Sequence, residues 1–230
     1  VKFSEQVRKE ANRYWEASFE HPFVTGIGDG TLPLEKFRYY VMQDSYYLSH
    51  FARVQSLGAA KAPDLYTTNR LAHHASGTYE AELELHRTFS DLLNITEEEQ
   101  QQFEPSPTAY AYTSHIYRAA YNGHLGDTIA ALLPCYWLYY DVGEKLKNCK
   151  PNEPVYQKWI EAYGGDWFKS LVEEQIVRLD NIAEQCTKED QERMKNDFVI
   201  SSAYEYLFWE MAYKEEQWPL QASVSSNEQR

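Results

Sequence analysis

Residues 3–20 read FSEQVRKEANRYWEASFE. Within them Phe3, Val7, Ala11, Tyr14, Trp15 and Phe19 recur mostly at three- and four-residue steps, the stripe of an amphipathic helix. His21-Pro22 ends that helix, because the residue before a proline is pushed away from helical geometry. The same period governs almost everything downstream. Residues 23–33, FVTGIGDGTLP, hold three glycines and a proline and read as a loop. A second helix opens near Pro33 and carries Tyr39, Tyr40, Tyr46, Tyr47 and Phe51 to about Ala60. Pro63 opens a third, long helix to about Phe89. Thr96 with Glu99 has capping-box spacing and starts a short helix, and Ser106-Pro107 starts another that ends near Asn122-Gly123.

The next helix runs from about Asp127 to Lys147, with Pro134 inside it. A turn over residues 151–154 precedes a short helix to Ala162. Gly164-Gly165 breaks the chain, and Asp166 caps a helix to about Cys186. Thr187 to Asp190 reopens a final helix toward Tyr213. Residues 221–230 are polar and read as a loose tail. No strand alternation, internal repeat or long linker interrupts the pattern. The expectation is an all-α helical bundle, a single domain over residues 1–220.

Composition narrows the function. The chain has 230 residues, enough for a sizeable core, and its 43% hydrophobic and 25% charged residues are ordinary for a globular protein. A net charge of −13 opposes phosphate backbones and anionic membranes, so neither nucleic acid nor a membrane is an expected partner. The longest apolar stretch, residues 129–140, is far short of a bilayer span and contains Pro134. Residues 2–15 mix charges with apolar side chains, unlike a secretion signal. Cys135, Cys149 and Cys186 are odd in number and widely spaced, which fits neither a disulfide framework nor a zinc knuckle. The expected compartment is reducing and cytoplasmic. The unusual quantity is an aromatic fraction of 15%, with 19 tyrosines.

A helical bundle rich in His and Glu invites a di-iron reading, which needs Glu three places before a His. The residues in that position are Ser18, Tyr47, Arg70, Leu71, Leu83, Tyr112 and Tyr121, so the pattern is absent. No metal or other cofactor is expected. The more informative segment is AALLPCYWLYY, residues 130–140. Pro134 deprives the carbonyl one turn earlier of its partner, and kinks of this kind open pockets inside bundles. Cys135 follows directly, with Tyr139 on the same face; it is either a small buried hydrophobe or a reactive thiol. Cys149, among Lys, Asn and Pro, reads as a surface thiol.

Two carboxylates are embedded among aromatics. Asp44 has Tyr47 one turn on, and Glu205 has Phe208. A carboxylate on an apolar face finds a partner, shifts its pKa or binds something. Asp44, Cys135 and Glu205 together are a set suited to a flat nitrogen heterocycle: one carboxylate holds an amino group, another protonates a ring nitrogen, and sulfur attacks the activated carbon. Spacing alone does not show that they converge.

At these residues the chain resembles the thiaminase II (TenA) family, in particular its Cys-dependent branch. The resemblance is carried by HPF (residues 21–23), GIGDGTLP (26–33), YYVMQDSYYL (39–48), SPTAYAYTSH (106–115), LLPCYWLYY (132–140), YGGDWF (163–168) and SSAYEYLFW (201–209), in one order. It implies a heme-oxygenase-like helical bundle without haem, assembled as a homotetramer. It implies hydrolysis at the methylene of an aminopyrimidine. The substrates would be 4-amino-5-aminomethyl-2-methylpyrimidine, releasing ammonia, and thiamin, releasing its thiazole.

By match to the family motifs, Cys135 is the nucleophile and Glu205 the acid. Tyr47 supports the thiolate, and Tyr112 lies by the reacting centre. Asp44 holds the amino edge, Tyr139 and Tyr163 contact substrate, and Phe208 lines the ring. The competing reading is a non-catalytic pyrimidine-binding or regulatory protein that keeps the pocket without turnover.

Overall fold

A computed structural model describes residues 1–220. Among them every regular element is a helix: α1 (Phe3–Glu10), α2 (Asn12–Glu20), α3 (Pro22–Asp29), α4 (Leu34–Ala60), α5 (Leu65–Leu93), α6 (Glu97–Gln101), α7 (Pro107–Asn122), α8 (Leu125–Leu146), α9 (Pro154–Tyr163), α10 (Asp166–Gln185) and α11 (Lys188–Lys214). The tail expected over residues 221–230 lies outside the described residues.

The centre of the bundle is α8. Its first ten residues, Leu125 to Pro134, are all buried, as a helix that is apolar around its whole circumference must be. Around it pack α11, α10, α7, α9 and α4. Helices α4 and α5 join through a short turn and pair closely as an αα-hairpin. One core runs through the helices, with Trp15, Trp159, Trp209, Tyr40, Tyr112 and Tyr156 among its largest buried side chains. Much of the aromatic surplus is therefore packing material.

Most local signals act as read. Thr96 and Glu99 form a capping box at α6, and Thr187 and Asp190 form one at α11. Ser106 caps α7, its hydroxyl accepting from the Ala109 N–H at 3.2 Å. Pro134 stands inside α8 without ending it. The carbonyl of neighbouring Ala131 accepts a hydrogen bond from Ser201 Oγ of α11 at 2.7 Å, an outside donor in the turn where the proline supplies none.

Three expectations change. Residues 22–29 form α3 instead of a loop. His21 Nδ1 accepts from the Phe23 N–H at 3.1 Å and Pro22 takes the first helical position, so the segment has a start signal. Its glycines answer to other demands. A Cβ at Gly28 would meet Leu146 at 2.8 Å, and Gly30, at φ +78°, terminates the helix in the left-handed region. The first helix is divided at Ala11: its N–H keeps the ordinary helical bond to the Val7 carbonyl at 3.0 Å, while its carbonyl accepts from the Tyr14 N–H at 2.9 Å, a tighter three-residue step, and the apolar face continues. Cys149 is half-buried against the core.

No helix among the described residues is long and apolar enough to cross a membrane.

Candidate active site

A cavity of about 450 Å³ opens between α4, α5, α8 and the α9–α10 junction, and Asp44, Cys135, Tyr139 and Tyr163 line it. Five helices supply the candidate residues. The stripe of α4 presents Tyr40, Asp44, Tyr47 and Phe51 at steps of three and four. From α7 comes Tyr112, from α8 Cys135 and Tyr139, and from α11 Glu205 and Phe208. Tyr163 is the last residue of α9. Its backbone lies where a Cβ on Gly143 of α8 would stand 2.7 Å away, so a glycine there lets the α9 terminus close onto α8.

Six of the eight candidate residues are joined, by way of Tyr40, in one chain of contacts. Tyr112 donates a hydrogen bond to Glu205 Oε1 at 2.5 Å. Its ring stacks on Tyr47 with centroids 4.6 Å apart, and Tyr47 meets Phe208 edge-on at 5.8 Å. Phe208 meets Tyr40 at 6.0 Å, the Tyr40 hydroxyl lies 2.7 Å from that of Tyr139, and Tyr139 meets Tyr163 at 4.9 Å. Asp44, Tyr47, Tyr112, Tyr139, Glu205 and Phe208 are all buried, and Cys135 and Tyr163 are half-buried at the cavity wall. Asp44, Cys135, Tyr139 and Tyr163 thus line the chamber, and Tyr47, Tyr112, Glu205 and Phe208 pack behind its wall.

Its electrostatics follow from desolvation. Burial pushes the Glu205 carboxyl up to about 8; the hydrogen bond from Tyr112 pulls against this, and the nearby Asp44 charge adds to it. Burial also raises Asp44 to about 7. The Cys135 thiol lies well above its ordinary range because burial and the Glu205 and Asp44 charges all oppose a thiolate; the Tyr47 hydroxyl is the group that favours one. That hydroxyl is buried beside the Tyr112 hydroxyl and has no hydrogen-bond partner of ordinary geometry among the described residues. At neutral pH this arrangement stores a proton on Glu205 and provides a cysteine that ionises only with help. It can therefore combine general-acid and nucleophilic chemistry.

Pattern reading did not single out Tyr40, whose hydroxyl also accepts from Trp159 Nε1 at 3.4 Å, although it lies one turn before Asp44 on the same face. It also missed His86 of α5, whose Nε2 is 3.9 Å from Asp44 Oδ2 and which burial lowers to about 4. Among the described residues His124, Cys186 and Asp190 form a cluster with metal-ligand chemistry, away from the cavity. His124 Nδ1 accepts from the Gly126 N–H at 2.9 Å, so in the neutral ring Nε2 carries the proton and faces Cys186 at 3.6 Å. The nitrogen facing the cluster thus has no lone pair to offer.

The model of the TENA/THI-4/PQQC family matches residues 8–215. The aminopyrimidine aminohydrolase of Bacillus subtilis (strain 168) is 64% identical over 218 residues, covering 95% of this chain and 92% of that protein. Among solved structures, the TenA homologue of P. horikoshii OT3 superposes with a TM-score of 0.83 at 30% identity, covering 93% of this chain and 99% of that one. A domain with a heme oxygenase-like fold from Shewanella denitrificans OS217 superposes at 0.72 with 18% identity, covering 94% and 93%, a likeness of fold alone. The expected bundle class is the observed one: the chain belongs to the TENA/THI-4/PQQC family, and it is an enzyme.

Proposed function

We propose that the chain is a hydrolase of thiamin salvage. It converts 4-amino-5-aminomethyl-2-methylpyrimidine to the hydroxymethylpyrimidine and ammonia, and cleaves thiamin to the same pyrimidine and its thiazole. The observation that carries this reading is the gathering of Cys135 and Asp44 in one aromatic cavity, with the Glu205 carboxyl close behind its wall. Relatives bearing the name aminopyrimidine aminohydrolase support it. Homotetrameric assembly in the cytoplasm belongs to the same reading; the three cysteines, all free, agree with a reducing compartment.

A neutral aminopyrimidine is a poor electrophile. Cys135 first gives its thiol proton to water, the Tyr47 hydroxyl donating to the thiolate; Glu205 then protonates the ring nitrogen while that sulfur bonds to the adjacent ring carbon, which breaks aromaticity. The pair on the protonated nitrogen then pushes through the ring to form an exocyclic double bond as the carbon–leaving-group bond breaks. Water adds its oxygen to that exocyclic carbon; the proton it sheds completes ammonia when an amine leaves, and passes to solvent when the thiazolium of thiamin leaves as neutral thiazole. The carbon–sulfur bond breaks, the ring nitrogen returns its proton to Glu205, and aromaticity is restored. Asp44 holds the amino group, Tyr139 and Tyr163 contact the ring, Phe208 lines its face, and Tyr112 keeps the Glu205 carboxyl oriented.

The test is steady-state release of hydroxymethylpyrimidine from both substrates by wild type, Cys135→Ala and Cys135→Ser. Removal of an activated nucleophile costs more than about 10³-fold in kcat. Wild-type turnover in either variant would sink the covalent step. Binding without turnover by the wild type would establish the non-catalytic reading instead.

A further inference from the structure

The proposed chemistry fixes the direction in which the leaving group points, so any subsite for that group rests on the proposed function. In the pyrimidine, the amino-bearing carbon, the carbon carrying the methylene and the carbon attacked by sulfur are three consecutive ring atoms. Asp44 addresses the first and Cys135 the third, so the methylene projects between them. Both residues line the open cavity, whereas Glu205 is only 2% exposed and lies behind its wall. The leaving group therefore enters the outer half, between α5, the end of α9 and the start of α10. Ammonia would use very little of that space.

The chemistry of this outer half is distinctive. Trp167, in the YGGDWF segment, is 55% exposed and forms part of the cavity wall. Facing it is Gly77 in the interior of α5, where a Cβ would meet Trp167 Cζ2 at 3.8 Å. Glycine is a poor helix former, and here its missing side chain leaves the indole open to the chamber. Glu84 and Glu161 border the same space; the one lysine, Lys158, is paired with Glu161 at 3.6 Å. Aromatic surface with surplus carboxylate suits a flat ring that is neutral or positive.

We propose that this outer chamber is a leaving-group subsite for a neutral or cationic heteroaromatic ring, with Trp167 as its stacking wall and Gly77 as the residue that keeps it open, and that it disfavours phosphorylated leaving groups. Gly77→Leu fills the chamber and Trp167→Ala removes its wall. The measurement is kcat/KM of both variants and wild type for thiamin, thiamin monophosphate and the aminomethylpyrimidine. Alongside it, calorimetry on the Cys135→Ala background compares binding of thiamin with that of hydroxymethylpyrimidine.

Both variants should lose about tenfold or more on thiamin and stay within about twofold on the ammonia-releasing substrate. Wild type should prefer thiamin to its monophosphate. Equal losses on both substrates would make the chamber a mere entrance, and unchanged values would remove its role altogether; either overturns the proposal, as does a preference for the monophosphate. Should one variant fail to fold, the other decides the question. A wild type inactive on both substrates defeats the catalytic reading, and the calorimetric ratio of thiamin to hydroxymethylpyrimidine then decides the chamber separately.

Discussion

Adjacent residues of α8 look onto two carboxylate clusters of opposite character. Tyr136 is tied to His74, whose Nδ1 lies 2.9 Å from its hydroxyl, and His74 Nε2 is 3.1 Å from Glu174. Gln55 donates to the same phenol from α4. Arg70 reaches Glu174 with two nitrogens at 3.0 and 2.7 Å, and Arg178 reaches it at 2.7 Å. Burial alone would raise Glu174, but these donors outweigh it and hold its carboxyl well below the usual range. Cys135, one residue away, faces Glu205 and Asp44, each raised by burial. Guanidinium partners make one carboxylate a fixed anion that ties α5 to α10. Their absence beside Glu205 leaves a carboxyl that keeps its proton near neutrality. A reactive acid is made here by denying it a cation.

The largest effect should come from removing the poised acid. Glu205→Gln keeps the shape and loses the transferable proton, so kcat/KM should fall by about 10²–10⁴-fold, the usual worth of general-acid catalysis. Its thermal unfolding should move the opposite way. A carboxyl raised from 4.5 to about 8 by folding contributes stability that is fully present below about 4.5 and lost as pH rises through 8. Against wild type, the variant should therefore gain in Tm between pH 5 and pH 9. A flat difference across that window would mean that Glu205 is not held neutral, and the contrast with Glu174 would collapse.

Glu174→Gln should give the mirror image. Its lowered carboxyl contributes stability above its unfolded pKa and loses it as pH falls into the acid range. Leaving two guanidinium groups without their anion should lower Tm by roughly 5 °C at pH 7. That deficit should shrink toward pH 3. Because Glu174 touches none of the residues assigned to the chemistry, kcat/KM should stay within about threefold. A loss of activity comparable to that of Glu205→Gln would show that the two clusters are not separable.

How much of this was legible depends on whether the signal is local. Capping boxes, prolines and the helical period are short-range, and Thr96 with Glu99 or Thr187 with Asp190 act as read. Residues 22–29 misled because glycine has more than one use: Gly28 permits close approach of α8, and Gly30 is a helix terminus, yet both resemble loop residues in sequence. In the site, Asp44, Cys135 and Glu205 stood out as polar groups inside aromatic runs. Their convergence did not, since helices distant in the chain bring them together, and the family resemblance supplied it. Glu174 carried no comparable signal. Its partners Arg70 and His74 lie about a hundred positions away, and its sequence surroundings are those of an ordinary charged helix face.

The finest test concerns the Tyr47 hydroxyl. In most interiors a buried hydroxyl is retained because it is bonded, and its removal costs stability. This one has no partner of ordinary geometry among the described residues, yet it is the group that favours the Cys135 thiolate against burial and two neighbouring carboxylates. Tyr47→Phe should therefore leave Tm unchanged or slightly raised, since an unsatisfied polar atom disappears. Alkylation of Cys135 by iodoacetamide should slow several-fold at pH 8, and kcat should drop by about tenfold, the worth of roughly one hydrogen bond to an anion. Were Tm to fall by several degrees with alkylation unchanged, the hydroxyl would be a structural element like the bonded phenol of Tyr136. The thiolate would then need another source of help within the Asp44–Glu205 chamber.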